Sequence, residues 1–136
     1  MKYRNLTAIV LILATLTIVP GCEKPEGEGG LATIRGRVLV KHYNSSFNIL
    51  EETYYAQDED VFIIYGDEKS VGDRVRTTYD GWFEFPWLRP GKYMVYAYSK
   101  DSTLQTQAKI PVIREVEITD TKQQVEVPEI VIFESN

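Results

Sequence analysis

Hydrophobic and polar positions alternate with a period of two along most of the chain after Leu31, and no segment there repeats every 3.6 residues as an amphipathic helix does. The even-numbered positions from Ile34 to Val40 form the apolar face of a first, half-buried strand. A continuous apolar run follows at 60–65, rich in β-branched and aromatic residues. Such a run is expected where both faces of a strand are covered.

Further segments of the same kind predict five more strands, which gives seven in total. They are Arg74–Thr78, Trp82–Phe85, Tyr93–Ser99, Val112–Thr119 and Gln124–Phe133. Turn-forming pairs separate them, such as Asp80-Gly81 and Asp120-Thr121. Pro128 has no N–H to donate to a ladder, so the last strand should bulge there or lie at an edge. Many short strands with regular turns predict an all-β sandwich or barrel.

The segment from Thr77 to Val95 has the pattern T-x-x-D-G-x-F-x-F-x-x-L-x-P-G-x-Y-x-V, and an early I-x-G-x-V strand precedes it at 34–38. This combination resembles the carboxypeptidase regulatory-like, transthyretin-like group of domains. The resemblance covers nearly all of 31–133 and implies a seven-stranded Greek-key β-sandwich without catalysis of its own. Two departures are the long insertion at 42–59 and the bulky pair Pro86-Trp87 where small residues are usual.

The side-chain parity of this predicted hairpin separates inner from outer residues. With Phe83 and Phe85 inward, Tyr93 and the alternate residues after it should face them across the core, with Leu88 closing its end. The outward positions then form one aromatic group: Tyr79, Trp82, Met94, Tyr96 and Tyr98. Such rings could serve as a contact platform for a protein or stack on sugars. They could also simply stabilise the sheet in cross-strand pairs, or lie under the 42–59 loop.

The first 21 residues have the order of an export signal. Lys2 and Arg4 precede a mostly apolar run at 6–19, which is short for a membrane-spanning helix and ends at Pro20-Gly21. Gly21 directly before Cys22 resembles the lipobox of bacterial lipoproteins. That resemblance implies that residues 1–21 are a signal peptide and that Cys22, the only cysteine, carries the acyl anchor. An ordinary secretory signal with a free thiol, or an uncleaved anchor helix, remains the alternative.

Residues 22–30 contain no apolar side chain other than Cys22, which predicts a flexible tether before a single domain at 31–136. A charged stretch after the lipidated cysteine resembles the sorting signals of outer-membrane lipoproteins. The expected location is therefore the outer membrane, with the domain facing the periplasm or the cell exterior.

Charge argues against nucleic acid as a partner. Without Lys2 and Arg4, 13 of the 15 basic side chains remain, against 20 acidic ones. Nucleic-acid binding requires clustered Lys and Arg.

The sequence has few groups of residues that could bind a metal ion or carry out catalysis. Asp58, Asp60 and Asp67 could supply oxygens to Ca²⁺, but no Asp-x-Asp-x-Asp-Gly loop is present, and surface acids usually only solvate a protein. His42 is the only histidine, so a zinc site rich in histidine is excluded. A triad would have to combine it with Ser45 or Ser46, without a Gly-x-Ser-x-Gly motif. We therefore expect no enzyme and no cofactor.

The sequence thus predicts a lipid-anchored, non-enzymatic envelope lipoprotein that acts as an interaction or accessory module for a protein partner. An alternative is a carbohydrate- or peptide-binding surface lipoprotein that uses the outward aromatic group. A third hypothesis, a hydrolase, would require His42 and carboxylates to converge in one pocket.

Overall fold

The computed structural model describes residues 24–136, and the predicted signal peptide and Cys22 lie outside this part. The described chain is all-β, as predicted, and contains no helix that could cross a membrane. Its strands are β1 Glu28–Tyr43, β2 Leu50–Tyr55, β3 Asp60–Tyr65, β4 Asp73–Arg76, β5 Trp82–Leu88, β6 Gly91–Ser99, β7 Ile110–Ile118, β8 Gln124–Glu126 and β9 Ile130–Ser135.

The long strand β1 is the axis of the first, five-stranded sheet. On one side it pairs with β5 and then with β2, both antiparallel to it. On the other side it pairs with β8 and then with β9, both parallel to it. Val38 bridges the junction of β5 and β2, because its N–H donates to the Gly81 carbonyl (2.9 Å) and its carbonyl accepts from Ala56 N–H (3.0 Å). The sheet is therefore only three strands wide.

The second sheet is antiparallel, with the strand order β4-β3-β6-β7. It packs against the first sheet in a sandwich-like, two-layered arrangement around one core. Val61 and Ile63 of β3 are fully buried and the other residues of this strand are half-buried, so both of its faces are at least partly covered, as the apolar run at 60–65 predicted. Phe83, Phe85 and Leu88 enter the core from β5, and Tyr93 enters it from β6, again as predicted. The burial of these apolar side chains is the main stabilising term for a domain of this size.

Position 36 on β1 has no room for a side chain, which explains the glycine there. A Cβ at this position would lie 2.6 Å from the Phe83 ring and 2.5 Å from a Val127 methyl group. The glycine of the I-x-G-x-V segment therefore lets the β5 phenylalanine pack against the β1 backbone.

The described chain has nine strands, so the prediction of seven was wrong. The insertion at 42–59 contributes β2, whose residues are all exposed and therefore show no alternation in the sequence. The predicted strand at 124–133 is two strands, because β8 ends before Pro128 and β9 begins after it. The Greek-key connection of these strands stays a prediction.

The motif at 77–95 is not a hairpin. β5 pairs with β1 in the first sheet, whereas β6 pairs with β3 and β7 in the second. The corner Arg89-Pro90-Gly91 carries the chain from one sheet to the other, and Gly91 has a φ of 146° that favours glycine. Side chains on the outer faces of β5 and β6 therefore point to opposite sides of the molecule.

The polar segment before the domain packs onto it. β1 begins at Glu28, three residues before the domain start expected at Leu31, and Gly27 is buried. Gly27 N–H donates to the Tyr93 hydroxyl (3.0 Å), and that hydroxyl donates to the Arg89 carbonyl (2.6 Å). The end of the molecule formed by residues 24–27 and 89–91 is called the anchor end below.

Candidate functional site

Trp82 lies on the outer face of the first sheet beside two arginines from β1. The register places Arg37 opposite Trp82 and Arg35 opposite Glu84. Both guanidinium carbons lie 5.3 Å from the centroid of the indole ring. This distance is within the range of a cation–π interaction.

Both arginines have further partners that fix their position. Arg35 forms an ion pair with Glu126 (2.8 Å), and Arg37 donates to the Asp80 carbonyl (2.7 Å). The guanidinium group of Arg37 also stacks 3.2 Å from the centroid of the Tyr55 ring. The side of Trp82 towards β1 is therefore a cationic and aromatic surface held by several contacts.

A cleft opens on the other side of Trp82, towards β4. β5 pairs only with β1, so its second edge has no strand partner, and at Trp82 the backbone groups of this edge bond to the Thr78 N–H (2.8 Å) and hydroxyl (3.2 Å). The cleft has a volume of about 570 Å³. It is called the Trp82 cleft, and its lining is Arg35, Val75, Arg76, Thr78, Trp82, Phe83 and Glu84.

The Trp82 cleft combines one large aromatic ring with hydrogen-bonding groups of both kinds. Two guanidinium groups donate, the Glu84 carboxylate accepts, and the Thr78 hydroxyl can do both. Arg76 is held by Asp58 (3.2 Å) and Asp60 (3.3 Å), so its donors are already oriented. Such a concave site can hold a polyhydroxylated ligand through ring stacking and several hydrogen bonds.

A second aromatic surface lies on the outer face of the second sheet. The rings of Phe62 and Tyr96 stack at 5.2 Å, and Tyr98 meets both edge-on, at 5.6 Å from Phe62 and 5.4 Å from Tyr96. Met94 is half-buried on the same strand and Ile113 is exposed on β7, opposite Tyr96. These five residues are called the β6 patch. Tyr96 is only 7% exposed, and burial raises its pKa.

The predicted aromatic group is therefore divided among three places. Trp82 belongs to the first sheet, and Met94, Tyr96 and Tyr98 belong to the second. Tyr79 lies apart in the Thr78–Gly81 turn, where it is 79% exposed. The expectation of one contiguous group was wrong, because it assumed that β5 and β6 are neighbours in a single sheet.

The 42–59 segment does not cover the β6 patch. It forms a hairpin in which β2 pairs with the end of β1, in the opposite sheet. Its Tyr55 instead contacts Arg37 near Trp82. The alternative of cross-strand stabilisation does apply to Tyr96, whose ring is buried between Phe62 and Tyr98.

The three carboxylates considered for calcium are not brought together. Asp58 and Asp60 pair with Arg76 before β3 and at its start, whereas Asp67 follows the other end of this strand. Within residues 24–136 no group of three or more acidic, histidine or cysteine side chains is arranged to hold a metal ion. The structure therefore adds no support for a calcium site formed by these three residues.

His42 does lie in a cleft with carboxylates, at the end opposite the anchor end. This distal cleft of about 340 Å³ has an apolar floor that includes Val40 and Ile132, and a rim that includes His42, Glu59 and Glu134. Burial raises the pKa of Glu59. However, His42 faces Glu51 (3.5 Å), and Glu134 forms ion pairs with Lys100 and Lys109. The two serines considered for a triad lie in the 44–49 turn and do not line the cleft.

The three arginines at the Trp82 site were not predicted from the sequence. The alternation of β1 puts Arg35 and Arg37 on the face opposite its apolar residues, but nothing local shows that this face lies beside Trp82. Arg76 comes from the other sheet. Polar and apolar residues alternate in both β1 and β5. This shared alternation is the one signal that could have suggested that the two strands pair with each other.

No protein-family model matches this chain, and no curated protein matches its sequence. Among solved structures, the chain is similar to PA1324 from Pseudomonas aeruginosa, a protein named for a proposed carbohydrate-binding role. The two share 12% identity with a TM-score of 0.46, over 78% of this chain and 90% of that one.

Proposed function

We propose that this protein is a lipid-anchored, non-catalytic binding module of the bacterial envelope, and that the Trp82 cleft is its glycan-binding site. The observation that supports the proposal is the composition of this cleft. It joins an indole ring to two guanidinium groups, a carboxylate and a hydroxyl in a concave site at an edge of β5 that has no strand partner. Aromatic stacking with a few placed polar groups is a common way to bind a sugar ring.

The anchor is the second part of the proposal. The Lys2/Arg4 head, the apolar run and Gly21-Cys22 support an acylated Cys22, and the charged residues that follow it support the outer membrane as its location. Two or more acyl chains would be needed for stable attachment, because one chain binds only marginally. The fold type belongs to the same proposal. The match of 34–38 and 77–95 to the transthyretin-like, carboxypeptidase regulatory-like pattern supports a Greek-key sandwich of that group.

The experiment is a binding screen with the full-length, membrane-extracted protein against neutral and acidic oligosaccharides and soluble peptidoglycan fragments. For a ligand found in this screen, we expect Trp82→Ala to weaken binding by about tenfold or more, the effect of losing about 1.4 kcal/mol. Trp87→Ala is the matched control, since Trp87 lies on the same strand and outside the cleft. Circular dichroism must show that both variants are folded. Equal affinity of the Trp82→Ala variant would contradict the proposed site.

A second candidate function, docking of a protein partner, is favoured by the β6 patch. Tyr98 is 36% exposed and Ile113 is 45% exposed beside the buried Tyr96 ring. Clustered exposed apolar residues are typical of interaction surfaces. A pull-down from native envelope with Tyr98→Ser and Trp82→Ala separates the two functions. A partner lost only from Tyr98→Ser would favour docking at the β6 patch.

A further inference from the structure

The anchor end fixes the point where the described chain begins. The Arg89 side chain donates to the Pro25 carbonyl (2.8 Å), and Arg89 N–H donates to the Gly27 carbonyl (2.9 Å). Together with the bond from Gly27 to Tyr93, these contacts hold residues 25–27 against the corner at 89–91. Lys24 therefore starts from a defined place on the domain.

Only Glu23 separates Lys24 from Cys22. A fully extended chain advances about 3.5 Å per residue, so the acyl-bearing position lies within about 7 Å of Lys24. If Cys22 is acylated, as proposed above, the anchor end is held at the headgroup region of the bilayer. The 22–30 segment is then much shorter in effect than the free tether expected from the sequence.

Two large apolar side chains are exposed near this end. Trp87 is 64% exposed and Leu31 is 52% exposed. They directly precede Leu88 and Ala32, which are paired between β5 and β1. The register therefore places both side chains at the same part of the first sheet, close to the corner at 89–91.

The backbone at Trp87 is unusual for such a residue. Its φ of 62° lies in the left-handed region, which a bulky L side chain rarely adopts. Trp87 lies in a β-bulge. Between the pairs Ile34–Phe85 and Ala32–Leu88, β5 advances by three residues while β1 advances by two. Burial does not offset this conformational cost, since the indole ring stays mostly exposed. Strain of this kind that persists at an exposed residue suggests a functional role.

We propose that Trp87 and Leu31 insert into the headgroup region of the bilayer to which Cys22 is anchored, and so fix the orientation of the domain. Tryptophan prefers this interface because its ring is apolar and its N–H can still bond to water or headgroups. The anchor end carries Lys24 and Arg89 beside Glu26, Glu28 and Glu117, so it has no excess of positive charge and attraction to anionic lipid is not the basis of the contact. Zwitterionic lipid is sufficient for it. The inference rests on the proposed acylation of Cys22.

The test uses the two tryptophans of the chain as matched probes. The full-length lipoprotein is reconstituted in phosphatidylcholine vesicles that contain phosphatidylcholine brominated at shallow chain positions. Trp82→Phe leaves Trp87 as the only tryptophan, and Trp87→Phe leaves Trp82, so selective excitation of tryptophan reports one position in each variant. We expect quenching and a blue shift of Trp87 emission, with Trp82 emission unchanged. Added phosphatidylglycerol and raised salt should change neither result.

Mass spectrometry of the same sample separates the two possible failures. Acylated protein whose Trp87 is not quenched would overturn the membrane contact and leave the proposed anchor intact. Equal quenching of both tryptophans would also overturn it, because the domain would then have no fixed orientation. Protein without acyl chains that still shows Trp87 quenching would keep the contact and refute the anchor. Protein with neither feature would refute both.

Discussion

At the scale of single residues, Asp101 organises the loop between β6 and β7. One carboxylate oxygen accepts from the Thr103 N–H (2.8 Å) and hydroxyl (2.6 Å), and the other accepts from the N–H groups of Gln105 (3.1 Å) and Thr106 (3.0 Å). The hydrogen bonds from Thr103 are the main reason why the pKa of Asp101 lies below its usual value of 3.8. A short polar side chain of this kind stands in for backbone partners that the loop lacks.

We expect Asp101→Asn to lower the midpoint of thermal unfolding at neutral pH, because an amide nitrogen cannot accept two of these bonds. A carboxylate with a lowered pKa stabilises the folded state fully above its unfolded pKa, and loses this effect as the pH falls. The difference from the wild type should therefore shrink as the pH falls below 3.8. Thermal melts at several pH values measure it, with the exposed Asp120→Asn as control. A difference that does not change with pH would show that the carboxylate charge is not involved.

At the scale of elements, the attachment of residues 24–27 depends on one buried hydroxyl. Tyr93 connects Gly27 to Arg89 and thus joins the chain before β1 to the corner between β5 and β6. The hydroxyl lies in the core of the anchor end, where burial raises its pKa. The whole tyrosine is only 1% exposed, so water cannot easily replace a lost bond.

Tyr93→Phe should reduce the free energy of unfolding by about 1–3 kcal/mol, because it leaves the Gly27 N–H and the Arg89 carbonyl without this partner. The segment before β1 should also be released. We expect faster cleavage by an endoproteinase that cuts after Glu26 and Glu28, together with a lower midpoint in urea. Tyr65→Phe is the control, since no hydrogen bond of its hydroxyl occurs within residues 24–136. Cleavage as slow as in the wild type would show that Arg89 alone holds the segment.

For single strands, the direction of the side chains could be predicted from the sequence, whereas the sheet to which each strand belongs could not. Alternation is a local property, so the inward positions of Phe83 and Phe85 could be predicted from it. Sheet membership depends on distant partners, and the pattern of β5 and β6 is the same whether they pair with each other or lie in opposite sheets. The Trp82 cleft could not be predicted for this reason, since it needs the register of β5 on β1 and the position of β4.

At the scale of the whole molecule, the two sheets differ in how their strands are supported. β1 has partners on both sides through most of its length, and β6 is central in the second sheet. β2 pairs on one side only and is exposed throughout. Local opening of a domain follows such differences in burial and hydrogen bonding.

Hydrogen exchange should therefore be slowest in peptides from β1 and β6 and fastest, among the strands, in β2. Mass spectrometry of peptides over a time course measures this order. The Trp82→Ala variant is a useful comparison, because it should change exchange only near β5 and the neighbouring part of β1. Protection of β2 equal to that of β1 would show that a further contact covers the hairpin.

The 16 residues of β1 span about 50 Å, from the anchor end to the opposite end of the molecule. β9 runs parallel to the second half of β1, with six residue pairs from Val38–Ile130 to Tyr43–Ser135. A force that pulls the two ends of β1 apart would act along these strands. The interstrand bonds between β1 and β9 would share such a load in shear instead of breaking one after another.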